Sequence, residues 1–386
     1  MHTNVYPNLA ALPESYMALF DESANICFSY SRGWFENLIN TVLEDGVDLR
    51  LYGVEDESPG GVARGLLMAR TPASKRGSIL RTRQTSSRTL SGLTAFQTYL
   101  YAILIRQSDP ELNSIVRVLA QTLREDRPNW HLIDLAALDA ESPVYSAILD
   151  EFRNEGFVVK PYVNYLNRYQ DTENRTYDDY LSERPKGARK SIKEYTRLER
   201  RLSESGRTRS ELFDSTAEID RAIADYEQVA RNSWKPPEAH PEFMRGFIRY
   251  CAASGWLRLQ IVYVDDEPAA TVLAVVTGGR AVIFRNDYNV NFRKLSVGSI
   301  AILQALRHLL DADKVRELDY GRDDEPYKHI WMSDIRQRMG VLVFCPRTFG
   351  GLVALCQHSA VQLKDETIRR LKPALQAVAS KVRGRS

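Results

Sequence analysis

Apolar residues crowd the stretch from Leu257 to Tyr288 in two patterns that both belong to strands. In LRLQIVYV, residues Leu257, Leu259, Ile261 and Tyr263 share one face at a period of two. AATVLAVVT (269–277) is apolar throughout, as expected for a central strand covered on both sides, and Gly278-Gly279 turns the chain into RAVIFRNDY (280–288). The spacing therefore predicts three antiparallel strands, the first two joined by the turn DDEP. A polar loop, NVNFRKLSVGS, then leads into IAILQALRHLLDA, whose apolar residues recur at helical spacing, and KVRELDYG (314–321) reads as the strand that closes this unit. Two amphipathic helices, AEIDRAIADYEQVARNSW and PEFMRGFIRYCAASG, precede it.

The first half mixes both periods. LRLYGV (49–54) and ARGLLMAR (63–70) read as strands around the turn EDESPGG. DPELNSIVRVLAQTLRED has helical spacing after an Asp-Pro start, and WHLIDL reads as a buried strand. SPVYSAILDEFRNEG predicts a helix with a serine cap and a glycine stop, followed by strands FVVKPYV and NYLNRY. Together these patterns imply an α/β (α+β) chain of two units, with residues 1–170 as the first, 171–205 as a connector, 206–346 as the second and 347–386 as a C-terminal helical extension. At 386 residues the length suits two domains.

Composition narrows the partners. The net charge is +2 with 26% charged residues, which excludes an acidic disordered chain and a uniformly basic nucleic-acid binder. Positive charge is instead local: from Arg184 to Arg201 there are eight Lys or Arg against two Glu. Two readings stay open for this helix-like stretch, a solvated basic face or a site for phosphates on a cofactor, a nucleotide-linked substrate or tRNA. Its aromatics are sparse, which counts against a dedicated nucleic-acid role. The four cysteines, Cys27, Cys251, Cys345 and Cys356, form no C-x-x-C pair, so neither a disulfide framework nor a zinc site is expected. With no apolar run of about 18 residues and no leader-like start, the expectation is a cytoplasmic protein without a membrane span. G-x-S-x-G, Walker and H-E-x-x-H motifs are absent, and no metal is expected.

Two stretches carry chemistry. A strand followed by a basic, glycine-containing loop and a helix start offers free backbone amides and a positive dipole end to a pyrophosphate. Arg293 and Lys294 add charge there, while Ser296 or Ser299 can cap the helix or donate a hydrogen bond; an ordinary helix cap is the competing reading. Further on, ELDYGRDDEPYKHIWM (317–332) places acids, a Tyr-Lys pair and a tryptophan just past a short apolar strand. Asp319 or Asp324 is a candidate base, though Asp323 or Asp324 before Glu325-Pro326 also suits a helix cap.

The order of three antiparallel strands, phosphate loop, helix and strand, together with Ser296-Val297-Gly298 and with Gly321, Asp324, Glu325, Tyr327, Lys328 and Trp331, resembles the GNAT N-acyltransferase superfamily. More narrowly it resembles the CelD-like acetyltransferases associated with cellulose biosynthesis, which are similar to Fem-type aminoacyltransferases. The likeness runs over about 177–344, with Val297 standing where the family usually has proline. It implies tandem GNAT-like domains, each a mixed and mostly antiparallel sheet flanked by helices, the first degenerate. The expected activity is transfer of an acyl group, acetyl above all, from acyl-CoA to an amine or hydroxyl of a sugar, polysaccharide precursor or small metabolite. Acyl-carrier protein or tRNA as the donor's carrier, and a non-catalytic adaptor, are the alternatives. Under the resemblance Asp319, Asp324, Tyr327 and Lys328 are catalytic; Phe284, Asn286, Arg293, Lys294, Ser296, Val297, Gly298 and Ser299 bind the cofactor; and Trp234, Arg322, His329 and Trp331 bind substrate. The sequence leaves the oligomeric state open.

Overall fold

A computed structural model of the chain describes residues 1–44, 46–58, 61–71, 88–127, 129–173 and 175–361. Its first half runs β1 (His2–Tyr6), α1 (Ser15–Ala24), α2 (Arg32–Thr41), β2 (Leu49–Glu55), β3 (Ala63–Arg70), β4 (Thr89–Gly92), β5 (Leu104–Ile105), α3 (Leu112–Glu125), β6 (Leu132–Asp139), α4 (Pro143–Asn154) and β7 (Val158–Asp171). The second runs α5 (Tyr177–Glu183), α6 (Lys186–Glu204), β8 (Thr208–Phe213), α7 (Ile219–Arg231), α8 (Pro241–Ala253), β9 (Leu257–Val264), β10 (Glu267–Thr277), β11 (Arg280–Tyr288), a 3-10 turn at Val290–Leu295, α9 (Val297–Asp311), β12 (Glu317–Arg322), a 3-10 turn at Pro326–Ile330 and β13 (Asp334–Phe344). A further helix occupies 349–361; the rest of the predicted C-terminal extension lies outside the described residues.

Local chemistry fixes these elements. Asp265 and Asp266 both adopt positive φ (47° and 66°), as do Gly278 and Gly279 (59° and 75°), the geometry that tight hairpin turns require. The Ser142 side chain accepts the Val144 amide at the start of α4, and Gly156 turns the chain out of it at φ 84°.

The described strands form one sheet in the order β1-β2-β3-β4-β6-β13-β7-β12-β11-β10-β9-β8, with β5 beside β3. The two arrays mirror each other. Each has antiparallel neighbours up to a single parallel pair, β4 with β6 in one and β11 with β12 in the other. They meet at β7 and β13, which pair along 11 residues of β13, Asp334 to Phe344. Strand β13 lies between β6 and β7, and β7 lies between β13 and β12, so each half receives a strand from the other. Thus β12, expected to close its unit, is followed laterally by β7. The two strands expected at FVVKPYV and NYLNRY are one, β7, in which Pro161 stands opposite Val341.

Helices cover the sheet on both faces. Alternate residues of β9 face opposite sides: Leu257, Leu259, Ile261 and Tyr263 join a core that spans both halves, including Phe28, Trp34, Phe247 and Phe284, while Val262 and Val264 join a second core under α5, α6 and α9. Among the described residues no helix is long and apolar enough to cross a membrane.

Candidate functional site

Strands β11 and β12 are paired only from Arg280 to Val282 against Glu317 to Asp319. Beyond this they part. A register slip opposite Leu273 and Ala274 leaves Phe284 as the extra residue of β11, and a second slip in the β12–β7 ladder falls between Asp319 and Arg322. Such bulges bend a strand and take its backbone out of a ladder. Gly321, at the second slip, has φ 66°, and a Cβ there would stand 3.2 Å from the Ile283 carbonyl oxygen, so a side chain would press on the neighbouring strand.

The chain leaving β11 makes the 3-10 turn, passes through Ser296 in the left-handed region (φ 50°, ψ 32°) and enters α9. Ser296 occupies the cap position without making the expected side-chain cap bond; its carbonyl accepts the Ser299 and Ile300 amides (3.0 and 3.1 Å), while those of Val297 and Gly298 have no acceptor within the helix. Gly298 lies close under Tyr288: a Cβ at this position would meet the Tyr288 ring at 3.2 Å. A cavity of about 380 Å³ opens here, walled by Arg293, Ser296, Val297, Gly298, Ser299 and Ile302 from the loop and α9, Asn286 and Tyr288 from β11, Tyr327, Ile330 and Trp331 from the turn after β12, Trp234, and Tyr195 from α6. Aromatic packing sets its sides: Tyr195 stacks on Trp331 (6.1 Å, 27°), and Tyr327 meets both Trp234 (6.5 Å) and Tyr320 (5.8 Å) edge-on. Burial, reinforced by the charges of Glu325, Asp287 and Asp323, pushes the Tyr327 phenol well up, so it remains a proton carrier at neutral pH.

Nine of the residues proposed from sequence therefore come together: Trp234, Asn286, Arg293, Ser296, Val297, Gly298, Ser299, Tyr327 and Trp331. The others stand elsewhere. Phe284 packs among Phe28, Trp34 and Phe247, with centroids 4.7 to 6.2 Å apart, on the opposite side of the sheet. Lys294 is exposed outside the cavity wall. Arg322 lies over the Tyr165 ring at 4.2 Å and the Phe96 ring at 5.4 Å, and donates to the Thr98 carbonyl.

The candidate bases are occupied too. Asp319 is fully buried and accepts from Tyr99 (2.5 Å), Asn167 (2.8 Å), the Gly321 amide (2.7 Å) and Arg336 (2.6 Å). Burial alone would raise its carboxyl, but Arg336 and Arg338 hold it below the usual range. Asp324 pairs with Arg168 (2.5 Å) and the His329 ring (2.8 Å), and the Arg168 bond lowers its carboxyl; neither it nor Asp323 caps the following turn. Lys328 is buried, not a surface lysine. Its ammonium bonds the carbonyls of Arg322 and Asp323 (3.0 Å to the latter) and pairs with Glu325 at 2.6 Å, so it clasps the loop.

Tyr195, Tyr288, Ile302 and Ile330 were not apparent in the sequence as wall residues. Lys235, which is not a wall residue, supports Asn286: its Nζ donates to the Asn286 carbonyl (2.5 Å), and burial shifts its ammonium downward within the fields of Asp287, Arg285, Glu325 and Lys328. Tyr195 shares an inward stripe with Ile192 and Leu202, a signal for packing but not for a cavity.

Residues 189–329, which hold every wall of this cavity except Ile330 and Trp331, match the acetyltransferase (GNAT) domain family. Comparison with curated proteins gives no match. Among solved structures, FemX superposes with a TM-score of 0.59 at 10% identity, covering 90% of this chain and 98% of its own. A conserved protein of unknown function from Bacteroides thetaiotaomicron VPI-5482 gives 0.52 at 9% identity, covering 88% and 99%. At such identities the likeness is one of fold. It extends over both halves of the chain.

Proposed function

We propose that the chain transfers an acyl group from a pantetheine thioester, acyl-CoA in the simplest case, to an amine or hydroxyl of a saccharide or small metabolite. The observation that supports this is the cavity between the parted strands β11 and β12, bounded by the start of α9, where the Val297 and Gly298 amides have no acceptor within the helix. The amides of Val297 and Gly298, with Arg293, suit the donor's phosphates. The freed backbone of β11 suits the amide groups of the pantetheine arm. The acceptor's nucleophile attacks the thioester carbon, the C–S bond breaks, and the leaving thiolate takes its proton from Tyr327, while the acceptor's own proton passes to water. Lys328 acts by holding the loop that carries Tyr327. The narrower CelD-like reading rests on the Ser296-Val297-Gly298 and Gly321 to Trp331 motifs.

Thermal unfolding with CoA, acetyl-CoA and a long-chain acyl-CoA tests the proposal. A ligand at about 100 times its dissociation constant stabilises by about 2.7 kcal/mol. The expected result is a rise in Tm with at least one CoA species that disappears in Gly298→Val, whose side chain presses into the Tyr288 ring. Absence of any such rise overturns the reading and favours a non-catalytic adaptor.

A further inference from the structure

Helix α6 carries two faces that are each continuous along its 19 residues. Ile192, Tyr195, Glu199 and Leu202 point inward: Ile192 and Leu202 are buried, Tyr195 walls the cavity, and Glu199 accepts from Gln304 (2.9 Å) and pairs with Arg307 on α9. Lys186, Arg189, Lys190, Lys193, Arg197, Arg200 and Arg201 are all exposed and recur at three- and four-residue steps, which places them along the outer side. Arg189 donates to the Ser182 carbonyl, and Arg200 stands 3.8 Å from Glu204; among the described residues the other five make no ion pair or hydrogen bond. Like charges at these spacings repel and destabilise a helix. The chain nevertheless keeps this stripe in a protein of net charge only +2.

We infer that the outer face of α6 docks a small acidic carrier domain, which delivers the acyl group into the cavity as a phosphopantetheine thioester. The inference rests on the acyl-transfer reading above and names the carrier of its donor. Two features favour a compact acidic protein over an RNA. The stripe is one helix wide and about 28 Å long, at about 1.5 Å per residue, which suits the charged face of a helix. It also presents no aromatic ring for bases to stack on, since Tyr195 is turned inward against Trp331. Tyr195 connects the two functions: the helix that would hold the carrier also forms a wall of the chamber that its arm would enter.

The test titrates the intact protein with a fatty-acid-synthesis acyl carrier protein in holo and acetyl-loaded forms, followed by fluorescence anisotropy, with bulk tRNA and free CoA run alongside. Binding of the carrier that weakens steeply as salt rises is expected. Replacement of Lys186, Lys190, Lys193 and Arg197 by Gln should weaken it at least tenfold while leaving the CoA-induced Tm shift and the circular dichroism spectrum unchanged, because these exposed side chains make no ion pair or hydrogen bond among the described residues. A carrier that fails to bind, or binds the quadruple variant equally well, overturns the inference, as does tighter binding of tRNA lost in that variant. Loss of the CoA shift in the quadruple variant would instead assign the stripe to the nucleotide of CoA and also overturn it. If CoA stabilises the protein and the carrier does not bind, only this inference fails; if CoA gives no shift either, the acyl-transfer reading fails with it.

Discussion

Asp319 shows how a residue can fit a catalytic pattern and yet belong to the frame. It stands in an apolar strand two residues before a glycine, but its four hydrogen bonds come from both halves of the chain and leave it no access to the cavity. Removing its charge takes a fully buried carboxylate from Arg336 and Arg338, which keep only Glu317 and Asp139, and breaking a buried pair costs up to about 3–5 kcal/mol. Asp319→Asn is therefore expected to lower the urea midpoint at pH 7 sharply. Because the folded carboxyl titrates below its unfolded value, its contribution is full above about pH 4 and is lost as acid protonates it. The gap between wild type and variant should accordingly narrow at pH 3; a constant gap would show that packing, not charge, sets it. Tyr327→Phe should behave oppositely, keeping the CoA-induced Tm shift and losing about 100-fold or more in turnover. The family resemblance singled out Tyr327 and Trp331 in the stretch after β12, and both wall the cavity. It could not separate them from Asp319 and Lys328, whose roles are set by Arg336 and by carbonyls folded back from the same loop.

At the level of elements, periodicity found β2, β3, β6, β9, β10, β11 and α9 because each has one dominant neighbour class: apolar on one face or both, with glycine or aspartate turns between. It missed β13, where Asp334, Arg336 and Arg338 look like a solvated segment. Arg338 is in fact fully buried against Asp139 (2.6 Å), and Arg336 pairs with Glu317 and Asp319, partners invisible without the sheet order. The cradle at the start of α9 offers a direct test of local geometry. Ser296 holds a left-handed backbone without a compensating side-chain bond, a conformation that costs a non-glycine residue about 1–2 kcal/mol. Ser296→Gly should thus raise the denaturation midpoint modestly, by up to about 1 kcal/mol once the added freedom of the unfolded chain is counted. A loss of stability would mean that the serine side chain contributes more than its backbone strain removes.

The exchange of β7 and β13 governs the whole molecule. A division near residue 206 would separate two sequence halves, but it would deprive the second of β7, leaving β12 an open edge, and deprive the first of β13, leaving β6 and β7 without the strand between them. The shared core compounds this, since Phe28 and Trp34 of the first half pack directly on Phe243, Phe247 and Phe284 of the second. Two repeats bound this way should unfold as one. Calorimetry is expected to give a single transition whose van't Hoff and calorimetric enthalpies agree. A chain ending at Ser333 should lose the fold of the first half as well as the second, because the removed strand pairs along most of β6 and β7 and carries both arginines that neutralise Asp319. Two resolved transitions, or a stable folded product from that shortened chain, would show that the halves hold their structure independently and that the exchanged strands only join them.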